Sequence, residues 1–182
     1  MFERNGAGVW QEIQKLVASD AHASDDFGIS VSISGDRLVV GARDGDASAI
    51  NAGASYVFER NGAGVWQEVQ KLVASDAQGN DDFGWSVSIS GDRLISGAPD
   101  EDAGGSGSGA AYLYERNGAG VWQEVQKLMA SDAQPFDGFG NSVSISDDLA
   151  VVGASGEGAG GFVAGAAYVF ERDGAGVWQE VQ

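Results

Sequence analysis

From Phe83 the chain reads FGWSVSIS, which sets Trp85, Val87 and Ile89 on one side of an extended segment and Ser86, Ser88 and Ser90 on the other. Strict period-2 alternation of this kind predicts a β-strand. "SGDR", Ser90 to Arg93, follows as a tight turn built on Gly91 and Asp92, residue types that tolerate positive φ. "RLISGA" then predicts a short, largely buried second strand. After a loop rich in Gly, Ser and Asp, Pro99 to Gly109, "AAYLYER" predicts a third strand, and "NGAG" from Asn117 a hairpin turn of the Asn-Gly kind. "VWQEVQKL" is ambiguous, because Val121, Trp122, Val125 and Leu128 also fit a helical spacing and the Gln, Glu and Lys between them are good helix formers. The preceding hairpin turn and the strands around it favour a fourth strand.

The whole pattern returns. Phe2, Phe58, Tyr114 and Phe170 stand 56 residues apart, each opening a nearly identical phrase: "ERNGAGVWQE" three times, then "ERDGAGVWQE". Four short antiparallel strands per unit of this length predict an all-β chain built of β-propeller blades. A blade cannot bury both faces alone, and a small column of Ser and Gly against a large column of Trp, Ile, Val, Tyr and Phe suits close radial stacking. Residues 1–182 therefore read as one partial propeller array: an outer hairpin alone at 2–16, then blades at 27–72, 83–128 and 139–182, about three and a half blades in all. Closure needs at least about four. The expected open faces at both ends call for further sequence or for another copy of the chain, a homo-oligomer that closes the propeller.

Charge narrows the partners. The formal net charge of −17 and a pI near 4.1 argue against nucleic acid and anionic membrane, since both would repel the chain. Cations, basic proteins and neutral glycans stay open. There is no cysteine for a disulfide, thiolate metal site or thiol nucleophile, and no run approaches the roughly 18 apolar residues of a membrane helix. Residue 1 falls in mid-repeat with no signal core after it, so any export signal is expected outside this piece.

Each unit carries a Phe-Gly pair (Phe27-Gly28, Phe83-Gly84, Phe139-Gly140) followed by Ser-Val-Ser-Ile, and later a Gly-Ala pair (Gly41-Ala42, Gly97-Ala98, Gly153-Ala154), which the middle unit completes with Pro99. The combination resembles the FG-GAP repeat, the blade unit of integrin α-chain propellers, and most of all its bacterial secreted variety. The resemblance covers essentially the whole chain. It implies a propeller, usually of seven blades, in extracellular or cell-surface proteins that act in adhesion or ligand binding. Integrin-type blades often hold calcium in an Asp-x-Asp-x-Asp-Gly loop between the first two strands. Here that connection is only "SGDR" or "SDDL", with no room for a cage of about six to eight oxygens.

Comparison of the three units locates the variation. Strands and "NGAG" turns barely change, whereas Ala23-Ser24, Gly79-Asn80 and Pro135-Phe136 differ, as do the long loops Arg43 to Ala52, Pro99 to Ser108 and Ser155 to Ala164. In a propeller both segments lie at the same end of the disc, and that loop face is the expected binding surface. It is acidic. Asp44 and Asp46, then Asp100 and Asp102, offer carboxylates at i and i+2 that suit Ca²⁺, and Asp25, Asp26, Asp81 and Asp82 stand before the Phe-Gly pairs. The alternative is that these aspartates cap turns and keep a repetitive β-protein soluble. Trp85 occupies the phase of Ile29 and Asn141 and is the candidate for a sugar-stacking or channel surface, or for simple core. Trp10, Trp66, Trp122 and Trp178 share one phase and read as packing anchors. His22 is the only histidine and reads as a solvated loop residue; nothing marks a carboxylate pair as catalytic. The expected function is non-enzymatic binding of a protein or glycan ligand, the alternatives being a self-assembling structural repeat and a carbohydrate-binding propeller.

Overall fold

The computed structural model describes residues 1–46, 49–158 and 164–182, and among these it contains strands and no helix. Strands β1 (Phe2–Arg4) and β2 (Trp10–Glu12) form a lone hairpin. Three four-stranded antiparallel meanders follow, each in sequential order. They comprise β3 (Ser30–Ser34), β4 (Arg37–Ala42), β5 (Ala54–Arg60) and β6 (Trp66–Leu72); β7 (Ser86–Ser90), β8 (Arg93–Ala98), β9 (Ala110–Arg116) and β10 (Trp122–Leu128); and β11 (Phe139–Ser146), β12 (Leu149–Ala154), β13 (Ala166–Arg172) and β14 (Trp178–Glu180). Among the described residues this is a partial β-propeller of one two-stranded hairpin and three four-stranded blades.

The turns work through their side chains. In each "NGAG" turn the Asn side chain, not an Asn-Gly pair at positive φ, fixes the backbone: Asn61 Oδ1 accepts the N–H groups of Ala63 and Val65, both at 3.0 Å, and only the second glycine, Gly64, has positive φ. Asp173 does the same in the last unit, accepting the N–H groups of Ala175 and Val177.

The ambiguous fourth segment is a strand with one extra residue. Pairing runs Phe58 to Glu68 and then Val57 to Gln70, leaving Val69 as a bulge, and β10 skips Val125 in the same way. A bulge reverses which face each later side chain occupies. Glu68 and Lys71 consequently reach back to Ser19 and Asp20, while Gln70 reaches forward to the Trp122 backbone. The parity break is what made the segment look helical.

Blades pack large column against small column. Phe83, Val87, Ile89, Leu94, Tyr112, Tyr114 and Trp122 of the second blade meet Val39 and Val57 of the first, and the second and third blades repeat the arrangement with Phe139, Ile145, Val152, Tyr168, Phe170 and Trp178 against Ile95 and Leu113. Each of the larger apolar side chains contributes roughly 1.5–3 kcal/mol on full burial. Phe83 sits edge-on to Tyr112 and Tyr114, at 5.5 and 6.1 Å between ring centres. The indole N–H groups of Trp66, Trp122 and Trp178 have no acceptor among the described residues, so packing holds the rings while the side chains of Gln14, Gln70 and Gln126 hold the backbone of the same residues.

The Phe-Gly and Gly-Ala pairs are where consecutive blades touch backbone to backbone. A Cβ on Gly41 would lie 1.8 Å from the Gly84 carbonyl oxygen, and one on Gly97 would lie 2.0 Å from that of Gly140. The same carbonyls accept Ser30 Oγ at 2.8 Å and Ser86 Oγ at 2.7 Å. Serine and glycine fill the small column because nothing larger leaves the neighbour's carbonyl within reach.

Candidate binding face

The long loops and the segments entering the next blade meet at one end of the array. Asn80 N–H donates to Ile50 O at 3.1 Å, and Phe136 N–H donates to Ser106 O at 2.8 Å. The third long loop lies partly outside the described residues, at 159–163, so the expectation for Ser155 to Ala164 is followed only as far as Gly158.

Asp25 and Asp81 are buried, with Asp25 Oδ2 accepting His22 N–H at 2.7 Å and Asp81 Oδ2 accepting Gln78 N–H at 2.6 Å. Asp137 repeats this with Gln134. These carboxylates shape the turn and face inward. Burial pushes the Asp81 carboxyl up, and the charges of Glu101 and Asp76 add to the effect.

Asp46 and Asp102 turn onto their own loops, accepting Asn51 N–H at 2.9 Å and Gly107 N–H at 2.8 Å. Asp44 lies 3.5 Å from Arg43. Among the described residues, no group of three or more His, Asp or Glu side chains is placed to hold a metal ion. Between Asp100 and Asp102 stands Glu101, fully buried, paired with Lys127 at 2.7 Å and accepting Ala103 N–H. The first unit has Gly45 in its place and lacks this pair.

Asp26, Asp82 and Trp85 are brought together. Asp26 and Asp82 both adopt positive φ. Asp26 pairs with Arg43 at 3.0 Å, and the Arg43 guanidinium lies over the Trp85 ring, 4.7 Å from its centre, joining the first blade to the second. Trp85 thus packs one face against a cation and lies just before β7, with its N–H on Asp82 O at 3.0 Å. Burial, then the charges of Asp100 and Asp44, push the Asp82 carboxyl up to about 6, opposed by Arg43. Arg43 carries one weak signal in the sequence, as a lone cation in an acidic loop where the other units have Pro99 and Ser155.

Beyond Trp85 a cleft of about 330 Å³ opens between the second and third blades, lined by Trp85, Pro99, Asp100, Phe136, Asn141 and Ser155 among others. Phe136 has φ of 70° and 73 % of its surface is exposed. Left-handed backbone costs a non-glycine residue roughly 1–2 kcal/mol, and its counterparts at this phase are Ser24 and Asn80, short polar residues better suited to it. The segment is gripped on both sides, by Ser106 O on Phe136 N–H and by Gly156, whose absent Cβ would fall 1.9 Å from Phe136 O.

The FG-GAP repeat family model matches residues 10–58, 66–114 and 122–170. Among solved structures the chain is similar to Sqt1 from Chaetomium thermophilum, at 17 % identity and a TM-score of 0.57, and to Sqt1 from Saccharomyces cerevisiae, at 9 % identity and a TM-score of 0.54. Each alignment covers 88 % of this chain and 36 % of the other, so the chain spans about a third of the length of these propellers. No curated protein sequence matches it.

Proposed function

The chain belongs to the FG-GAP repeat family, and from that premise we propose that it is a non-enzymatic, extracellular propeller module that binds a protein ligand through its loop face in adhesion. FG-GAP repeats are typical of extracellular proteins, and no helix among the described residues is long and apolar enough to cross a membrane.

The observation that carries the reading is Phe136. An aromatic ring is held outward on strained backbone, largely exposed, where the other units have Ser and Asn. Beside it stand the half-buried Trp85 and the exposed carboxylate of Asp100. Aromatic faces next to a carboxylate suit a basic segment, and Arg43 on Trp85 is an internal example of that contact. The negative field over the face would speed the encounter.

Titration calorimetry with Arg/Lys-rich peptides and with neutral oligosaccharides tests this. Peptide binding that weakens with added salt and is lost in Phe136→Ser, with the melting midpoint no lower than in wild type, supports it. Saccharide binding without peptide binding would replace the ligand class, and binding by neither would overturn the assignment.

A further inference from the structure

The outer turns hold an asparagine amide as an electrophile is held. Asn5 Oδ1 accepts the N–H groups of Ala7 and Val9, Asn61 Oδ1 those of Ala63 and Val65, and Asn117 Oδ1 those of Ala119 and Val121, all at 3.0 Å. Two donors on one carbonyl oxygen draw electron density from Cγ and stabilise an oxyanion formed there. The residue that follows is glycine each time. The N–H groups of Gly6, Gly62 and Gly118 have no acceptor among the described residues, and a Cβ added to any of the three would meet nothing within 4 Å. A free backbone nitrogen therefore stands next in the chain to an activated amide carbon, with no side chain of its own to obstruct it.

The fourth turn shows how the structure receives an acid at this place. Asp173 Oδ1 accepts Ala175 N–H at 2.9 Å and Val177 N–H at 3.0 Å, the same two bonds that the asparagines make. Its second oxygen, Oδ2, accepts Gln179 Nε2 at 3.0 Å. Glutamine stands at that phase in the other turns as well, at Gln11, Gln67 and Gln123. The Val177 N–H above all holds the Asp173 carboxyl below the usual carboxylate range, so the acid stays ionised. Exchange of the amide for a carboxylate thus removes neither backbone bond of the turn, and a glutamine is already in place for the new oxygen.

We propose that Asn5, Asn61 and Asn117 are self-modifying sites, at which the turn promotes attack of the following glycine nitrogen on the asparagine Cγ. The new C–N bond closes a five-membered imide; the glycine nitrogen gives up its proton, the side-chain amide takes one, and ammonia leaves. Water then reopens the ring. Cleavage between the nitrogen and Cγ yields aspartate on an unaltered backbone, the state that Asp173 already displays. Cleavage between the nitrogen and the main-chain carbonyl carbon yields isoaspartate, with the backbone routed through the side chain. Water is the only co-reactant. Each event adds one negative charge beside the arginine of the same hairpin, as Arg60 Nε lies 3.2 Å from Gly64 O. Net charge therefore grows more negative with age, at one fixed place per unit. The loop face takes no part, and the ligand-binding reading does not depend on this chemistry.

Peptide mapping by mass spectrometry tests the proposal on the full chain, incubated at mildly alkaline pH both folded and in urea. Conversion of amide to acid at Asn61 and Asn117 should outpace that at Asn51, Asn80 and Asn141, which precede Ala, Asp and Ser, by at least about tenfold. It should run no slower in the folded chain than in urea. Gly62 lies outside the left-handed region and has open space around it, so Gly62→Ala should keep the fold by circular dichroism. That variant should slow conversion at Asn61 by at least about tenfold and leave Asn117 at the wild-type rate. Asn61 and Asn117 that keep their amides as long as Asn51, Asn80 and Asn141, a faster reaction in urea than in the fold, or a Gly62→Ala chain that converts at Asn61 as wild type does would each overturn it.

Discussion

Replacing Gly97 with alanine tests the claim that the small column exists to let blades touch. The new Cβ would fall 2.0 Å from Gly140 O and 2.5 Å from Ser86 Oγ. Neither a backbone carbonyl nor the rest of β11 can give by the required ångström or more without moving the third blade off the second. Overpacking of this sort costs about 1–3 kcal/mol, and loss of the hydrogen bond from Ser86 Oγ to Gly140 O adds about 1 kcal/mol. The total of about 2–4 kcal/mol corresponds to a fall of roughly 4–16 °C in melting midpoint for a chain of this size. Gly153 provides the control at the same phase. There the one close approach of an added Cβ is to the Ser142 side chain, 2.4 Å from Oγ, with the Ser142 carbonyl oxygen at an ordinary 3.7 Å. A hydroxyl can rotate away, so Gly153→Ala is expected to cost less than about 1 kcal/mol. Melting followed by circular dichroism in dilute solution measures both, and amide exchange should quicken across β11 and β12 in Gly97→Ala alone. Equal costs for the two substitutions, or a silent Gly97→Ala, would refute the reasoning.

Three further outcomes follow from the loop face. Phe136→Asn should raise the midpoint by about 2–4 °C, because Asn relieves roughly 1 kcal/mol of left-handed strain and the exposed ring gives up little packing; a lower midpoint would show that the ring is a structural contact. Asp82 titrates near 6 when folded and near 3.8 when unfolded, so its ionised form destabilises the fold above about pH 6 and the penalty fades as pH falls toward 3.8. Asp82→Asn should therefore melt higher than wild type at pH 7.5 and no higher at pH 4, and a constant difference across that window would contradict the assignment. Calcium should leave the midpoint unchanged, since Asp46 and Asp102 each commit an oxygen to a backbone N–H; a calcium-dependent rise abolished by Asp102→Asn would show that these loops rearrange around the ion.

The strands and blade pattern were legible because period 2 and period 56 leave each position only one consistent environment. The bulges at Val69 and Val125 were not, since one inserted residue shifts the apolar phase into a helical-looking spacing. The Phe-Gly and Gly-Ala pairs were visible as motifs, but their purpose depends on Gly41 meeting Gly84, a contact between blades that no local pattern encodes. On the loop face, alternation gives no guide to whether a carboxylate points in or out. Repetition did offer a clue: aspartate recurs at 25, 81 and 137, where it is buried, but gives way to Gly138 after Asp26 and Asp82. Phe136 was visible only as a variable position, because its exposure depends on a backbone conformation that composition alone does not reveal.

The single skipped residue in each outer strand gives the assembly an arrow. With carboxylate and ammonium groups facing one neighbour and a carboxamide facing the other, every junction has a giver side and a taker side, and two like sides brought together would find nothing to hold. Any tool made from these wedges, by lengthening, splitting or fusing them, must respect that one-way grammar.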